Sequence, residues 1–346
     1  MEAVSAKGAR AYIVQRAQEL VVPIGVHVDV TYRCDLDCVH CYLAERDKDD
    51  LTLDDYERLF DELRELGTLF LLVSGGEIFH RPDGFAILEA ARKRRFEVRI
   101  ITHGGHIDEA LAGELGRIGI AVAAMSIYAA EPGVHDAVTK VPGSWARTVA
   151  AAEHLRDAGV PVLLKCVLMA PNPDVVAELK ALATRVGAGI EFQFNIRGAN
   201  DGSDSLLELN LDLEARAAVA DCVYPELVDG QALPAFSPDR HTCLAGNASC
   251  YVGPDGTVQP CLEWEEPAGS IRAQSFKEIW LDSPVFRRAR LIRRSSFEGC
   301  TPCENHSHCS LCPAKSHRET GSPTGTAPSK CRETMAKTLL LGEEAP

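Results

Sequence analysis

The sequence predicts an α/β protein, a parallel sheet of six βα units able to curl into a partial barrel, followed by a small cysteine-rich domain. Three observations predict it. Apolar, β-branched runs recur between residues 24 and 197 as "IGVHVDVT", "LFLLVSGGE", "FEVRIITHG", "IAVAAMSIY", "VPVLLKCVLM" and "IEFQFNI". Segments of helical periodicity stand between them: "LDDYERLFDELRELG", "DGFAILEAARKRR", "IDEALAGELGRIG", "SWARTVAAAEHLRDAG" and "NPDVVAELKALATRVG". From His241 onward the chain turns rich in Cys, Gly, Pro and turn residues and poor in long apolar runs.

Each run is justified by its texture. Near-continuous apolar strands separated by helices of about 10–15 residues read as repeated βαβ units, which bury a parallel sheet on both faces. Four of the periodic segments end on Gly just past the last apolar position, as a helix C-cap does. Right-handed crossovers through six such units can close part of a barrel, whose chemistry sits at the carboxyl ends of the strands. The residues of chemical interest obey that rule. "CDLDCVHC" follows the first run, "SGGE" ends the second, "THGG" the third and "SIY" the fourth. We divide the chain into an N-terminal extension (1–23), the barrel (24–197), a linker with one helix near "LDLEARAAVADCV" (198–240), and the cysteine-rich domain (241–346). That last segment is expected to bury little core and to need metal staples.

Composition narrows the function. A net charge of −14 argues against a general nucleic-acid binder, which needs a basic face. No window of about 18 uninterrupted apolar residues predicts a membrane span, and the first twenty residues lack the apolar core of a signal peptide, so the expectation is a cytoplasmic protein. Thirteen cysteines, an odd number, do not suit a disulfide scaffold in reducing surroundings. Three lie at 34–41, eight lie between Cys243 and Cys331, and Cys166 and Cys222 stand alone. Such clustering is what metal ligation requires.

Cys34, Cys38 and Cys41 are one ligand short of a closed tetrahedral zinc site. An iron–sulfur cluster of four irons can be held by three thiolates, leaving one iron open to a substrate. Zinc bound by the three thiols plus His40 or His27 is the alternative.

Cys-x3-Cys-x2-Cys after the first strand of six βα units, followed by "GGE" after the second, resembles the radical S-adenosylmethionine (SAM) enzymes over nearly the whole chain. The resemblance implies a partial (β/α)6 TIM-like barrel. It also implies that Cys34, Cys38 and Cys41 bind a catalytic 4Fe-4S cluster whose open iron chelates SAM. Reductive cleavage of SAM would then give a 5′-deoxyadenosyl radical that abstracts hydrogen from substrate. In "SGGE", Gly75 and Gly76 let the backbone come close to a ligand, and Glu77 resembles the family acid that holds the SAM ammonium; Ile78 stands where the family commonly has Pro. Ser126 resembles a ribose-contacting position, Lys165 a partner for the SAM carboxylate, and His40 a ring packed against the cofactor. His103 stands where relatives often have Asn.

The second cysteine group reads Cys243-x6-Cys250-x10-Cys261, with Gly256 before Cys261, then Cys300-x2-Cys303-x5-Cys309-x2-Cys312, then Cys331. It resembles the SPASM extension, which binds two auxiliary 4Fe-4S clusters. By resemblance Cys243, Cys250, Cys261 and Cys312 hold the first, and Cys300, Cys303, Cys309 and Cys331 the second. The last pair is spaced by two residues where the family has three, which puts the partition in question. Zinc ribbons are the alternative, since Cys-x2-Cys is also zinc spacing. Cys166 and Cys222 read as small buried hydrophobes, with Cys222 the thiol to watch as a hydrogen donor.

"SIYAAEPGVHDAVTKVPGSWARTV" resembles maturases of ribosomally made peptides, relatives of the pyrroloquinoline quinone and mycofactocin enzymes. Structurally it reads as a loop over the strand ends, with Ser144 capping the next helix. The expected function is therefore hydrogen abstraction from a peptide undergoing crosslinking, epimerisation or oxidation. A radical SAM dehydrogenase of a small-molecule alcohol or sugar is the alternative. Expected partners are the peptide and a flavodoxin or ferredoxin-type reductant. About 23 residues precede the first strand, too few for a domain, so a leader-binding winged-helix module is expected as a separate protein.

Overall fold

The computed structural model describes residues 6–225 and 237–341. A helix, α1 (Ala6–Glu19), precedes the sheet. Six parallel strands follow: β1 (Gly25–Asp29), β2 (Phe70–Ser74), β3 (Glu97–Thr102), β4 (Val122–Ser126), β5 (Val162–Val167) and β6 (Gly189–Gln193). Between them run α2 (Leu53–Glu65), α3 (Gly84–Lys93), α4 (Glu109–Ile118), α5 (Pro132–Thr139), α6 (Ser144–Asp157) and α7 (Val176–Val186). All six predicted runs form strands and all five periodic segments form helices. The predicted glycine caps, Gly67, Gly119, Gly159 and Gly187, have positive φ, the left-handed turn that ends a helix.

The sheet runs β6-β5-β4-β3-β2-β1 and then continues, through β7 (Ser249–Val252), β8 (Thr257–Gln259) and β9 (Gly269–Ser270). β7 pairs with β1 in parallel, His27 opposite Tyr251. The cysteine-rich region thus extends the barrel's own sheet. One parity passes through the register. Val26, Val28, Val73, Val98, Ile100, Met125, Leu164 and Cys166 are fully or nearly buried against the helices. The alternate positions His27, Asp29, Ser126, Lys165, Glu191 and Tyr251 share the other, inner face, because side chains alternate along a strand.

The expectation that residues 241–346 bury little core is corrected. Phe276, Ile279, Trp280 and Phe286 are buried in the main core, and Trp264, Ile292, Phe297 and Leu311 form a second cluster packed by Cys261, Cys300, Cys309 and Cys312. Trp280 donates its indole N–H to Val21 O at 2.6 Å and lies 4.9 Å from the Phe286 ring. A few aromatic rings, each worth about 1.5–3 kcal/mol when buried, supply what long apolar runs supply elsewhere.

Two local readings also change. The stretch after β4 contains α5, N-capped by the Glu131 carboxylate, which accepts Val134 N–H at 2.7 Å. Ser144 is the first residue of α6 rather than its cap; Asp136 accepts from Gly143 N, Ser144 Oγ and Trp145 N instead. The described residues of the linker include a 3-10 helix, Ser205–Leu209, and two short α-helices, Leu213–Ala218 and Ala220–Val223. No helix among the described residues is long and apolar enough to cross a membrane.

Gly159 separates backbone conformation from packing. A Cβ there meets nothing within 4 Å, yet φ is +76°. Gly159→Ala is expected to cost about 1 kcal/mol in denaturant unfolding, from left-handed strain alone, with unchanged iron content. An unchanged midpoint would mean the cap contributes nothing.

Candidate functional site

The loop carrying Cys34, Cys38 and Cys41 is fixed from three sides. Val30 N–H donates to Ser74 O at 2.9 Å, Gly76 N–H to Thr31 O at 2.7 Å, and Glu77 N–H to Arg33 O at 3.0 Å. "SGGE" therefore lies against the chain leading into the cysteines. The glycines make that approach possible, since a Cβ on Gly75 would stand 2.2 Å from Thr31 O and one on Gly76 2.4 Å from Arg33 O. On the far side α5 braces the loop: Asp37 N–H donates to Thr139 O at 3.2 Å and Val39 N–H to Val138 O at 2.9 Å. Between them Arg46 donates to Leu36 O at 2.7 Å.

The three thiols face one another. Burial, then the neighbouring Cys41 and Cys34, push the Cys38 thiol up to about 12, and burial raises Cys41. Thiols whose ionisation is suppressed in this way are ionised by a metal centre's own charge. Among the described residues, the groups of three ligand atoms that all lie within 4.8 Å of one another are Cys34–Asp35–His103 and Asp35–His80–His106. His27 Nε2 lies 3.1 Å from Asp29 Oδ1 on the inner face, and His40 turns its ring edge to Tyr128, centroids 4.8 Å apart. Burial pushes His40 down to about 4, and its Nδ1 is a buried atom with no hydrogen-bond partner. A neutral ring with an orphaned nitrogen suits packing against a cofactor.

Glu77 is buried and saturated. Its carboxylate accepts from Thr102 Oγ1 at 2.8 Å, His103 N–H at 2.9 Å and Phe79 N–H at 3.2 Å. His103 Nε2 lies 3.2 Å from Glu77 Oε2 and 3.0 Å from Asp35 Oδ1. Burial alone would lower His103, but Glu77, Asp35 and Cys34 outweigh it and carry it to about 10. The same contact with His103 holds Asp35 well below the usual carboxylate range. Asp35 after β1, Glu77 after β2, and Thr102 with His103 at the end of β3 thus join three strand ends. Sequence reasoning singled out neither Asp35 nor Thr102; the acid beside a thiol in "CDLDC" was the available signal for the first. Ser126 ends β4 opposite Lys165 on β5, and Lys165 Nζ lies 3.3 Å from Glu191.

The later cysteines fall into two groups. Burial raises Cys261 to about 12, and Cys312 and Cys243 add to it. Burial raises Cys331, and Cys309, Cys300 and Cys303 add to it. Cys261 thus neighbours Cys243 and Cys312, while Cys331 neighbours Cys300, Cys303 and Cys309. Cys250 is the exception: it pairs with Val26 on the helix-facing side of β7, fully buried near Arg290. Cys166 bonds with Asn172 in the core. Cys222 lies 3.3 Å from Lys180 of α7, in the helical layer on the other side of the sheet from the inner face.

Residues 28–191 match the model of the radical SAM superfamily. The chain carries that domain. Residues 243–312 match SPASM, an iron–sulfur cluster-binding domain. Among its relatives, this radical SAM protein is 28% identical over 321 residues to an AdoMet-dependent heme synthase of Methanosarcina barkeri, covering 85% of this chain and 92% of that one. It is 27% identical over 308 residues to a mycofactocin maturase of Mycobacterium ulcerans, covering 84% and 82%. In fold it resembles Streptococcus suis SuiB bound to its precursor peptide SuiA, with TM-score 0.73, 16% identity and coverage of 94% and 80%. The radical SAM protein is an enzyme that uses 4Fe-4S clusters and SAM.

Metal analysis of the anaerobically reconstituted radical SAM protein should find about twelve irons, three clusters of four, and little zinc. Cys38→Ala should lose about four of them and keep the rest, because the auxiliary thiols lie in a separate segment. About four irons in the unmodified chain, or stoichiometric zinc, would sink the two-auxiliary-cluster assignment.

Proposed function

We propose that this enzyme modifies a ribosomally made peptide at a carbon presented beside the Cys34–Cys41 loop. The observation that carries the reading is the brace: α5, inside the stretch that resembles peptide maturases, hydrogen-bonds to Asp37 and Val39 between the cluster cysteines. The similarity to the mycofactocin maturase supports it. Cys34, Cys38 and Cys41 would hold the catalytic cluster. Cys243, Cys250, Cys261 and Cys312, with Cys300, Cys303, Cys309 and Cys331, would hold the auxiliary pair. Cys250, on the helix-facing side of β7, is assigned to its set by the resemblance alone.

When bound, the cluster and SAM supply a 5′-deoxyadenosyl radical able to take hydrogen from an unactivated carbon. The chain's own residues do the rest. Gly75 and Gly76 keep the second strand's end against the cysteine loop, so Glu77 meets the SAM ammonium from a fixed position. Protonated His103 offsets one of the two charges of Glu77 and Asp35. His40 would pack against the cofactor, and Ser126 and Lys165, neighbours across β4 and β5, would hold its ribose and carboxylate. The α/β wall and the hairpin β7–β8 shield the radical from water. A flavodoxin or ferredoxin-type reductant, a separate winged-helix leader-binding protein and a cytoplasmic setting complete the reading.

A second reading has its own observation, the similarity to a heme synthase, which favours a tetrapyrrole substrate. One comparison decides between them. With SAM and a strong reductant, a cognate precursor peptide should raise 5′-deoxyadenosine formation and change in mass, more efficiently with the leader-binding protein present. Cys38→Ala should form none. Rapid turnover of a porphyrin, with no response to any peptide, would replace the first reading with the second.

A further inference from the structure

A cavity of about 320 Å³ opens between the barrel and the β7–β8 hairpin. Tyr42, next to Cys41, lies on one wall, and Leu262, next to Cys261, on the other. The cavity therefore lies between the two sets of thiols. Tyr32 and Tyr251 complete its aromatic lining.

Its hydrogen-bond polarity is set from below. Asp29, at the end of β1, is wholly buried, and a carboxylate only accepts. Tyr251 Oη donates to Asp29 Oδ2 at 2.8 Å. Tyr251 has one proton, so in its 2.8 Å contact with Tyr32 Oη the donor is Tyr32. Tyr32 in turn shows the cavity a lone pair. Asp255 adds a carboxylate whose Oδ1 accepts Thr257 N–H at 3.0 Å. The charged donors of the lining are engaged. Arg197 donates to Leu262 O at 3.0 Å, pairs with Glu265 and lies 4.5 Å over the Tyr42 ring. Lys48 pairs with Glu45 at 3.1 Å. A carboxylate entering here would meet Asp255 and would need Arg197 to release Glu265. A cation would meet acceptors and the Tyr32 and Tyr251 rings, which can attract it, while Arg197 already covers the Tyr42 ring.

We propose that this cavity binds a cationic group of the substrate, an ammonium or a guanidinium, between the tyrosine rings and Asp255. The inference rests on the reading that substrate is presented beside Cys41, and it names the side-chain chemistry that reading leaves open.

The test is equilibrium dialysis of the reconstituted, SAM-loaded holoenzyme with n-butylammonium, N-methylguanidinium, n-butanol and butyrate. Both cations should bind at least tenfold tighter than n-butanol, and butyrate more weakly still. Asp255→Asn, which keeps an oxygen for Thr257 N–H, should weaken cation binding at least fivefold. Glu178→Gln, on α7, should leave it unchanged, which separates the cavity from the general pull of a chain of net charge −14. Tyr251→Phe releases the Tyr32 proton toward the cavity and should narrow the preference for cation over alcohol. Unchanged iron content verifies that each variant is assembled. Butyrate binding as tightly as butylammonium, or Asp255→Asn leaving cation affinity intact, would overturn the proposal. None of these probes is a peptide, so the cavity's preference is read even if the peptide reading fails. Conversely, efficient modification of a peptide with no Lys or Arg near the reacting carbon would refute the cavity's ligand and leave the peptide reading standing.

Discussion

The site depends on one backbone contact, the closure of "SGGE" onto Thr31–Arg33. Two hydrogen bonds make it, Gly76 N–H to Thr31 O and Glu77 N–H to Arg33 O. A side chain at residue 75 or 76 would collide with those same carbonyls. The contact is short because nothing but hydrogen stands between two main chains. Its effect is to convert a loop with three thiols into an extension of the sheet. Glu77 then follows at a fixed point, buried and held by Thr102 and the His103 amide at the end of β3. Three strand ends become one platform.

The opposite side is held by different means. α5 offers backbone carbonyls at Val138 and Thr139 to the loop, and a small apolar cluster of Val138, Tyr128, Met169 and Ile196 packs under Cys38 and Val39. His135, buried and lowered to about 4, accepts Tyr128 N–H through Nδ1 at 3.2 Å. Neutral histidine is the cheap choice there, since a charge would be buried away from water.

The barrel was legible because strand texture, helical period and terminal glycines all pointed the same way, element by element. The thiols of the first loop were legible from spacing alone. The hairpin β7–β9 was not, because "SCYV" and "TVQ" are too short for periodicity to register. The brace was misread as loop for a related reason: "PGVHDAVT" opens on Pro-Gly, which signals a turn, while the helix begins because Pro fits its first position and Glu131 caps it. The acceptor-lined cavity lay beyond sequence altogether. Tyr32 and Tyr251 are 219 positions apart, and only the parallel pairing of β7 with β1 brings them together.

That pairing reaches beyond the fold. In a protein whose electron-carrying centres sit on separate modules, their separation is set by a linker and fluctuates with it. Here the strand that leads toward Cys261 is laced to the strand that leads into Cys34 by a shared ladder, Gly25 to Val28 on β1 against Ser249 to Val252 on β7. The distance between those two strands is then a property of the ladder rather than of a linker.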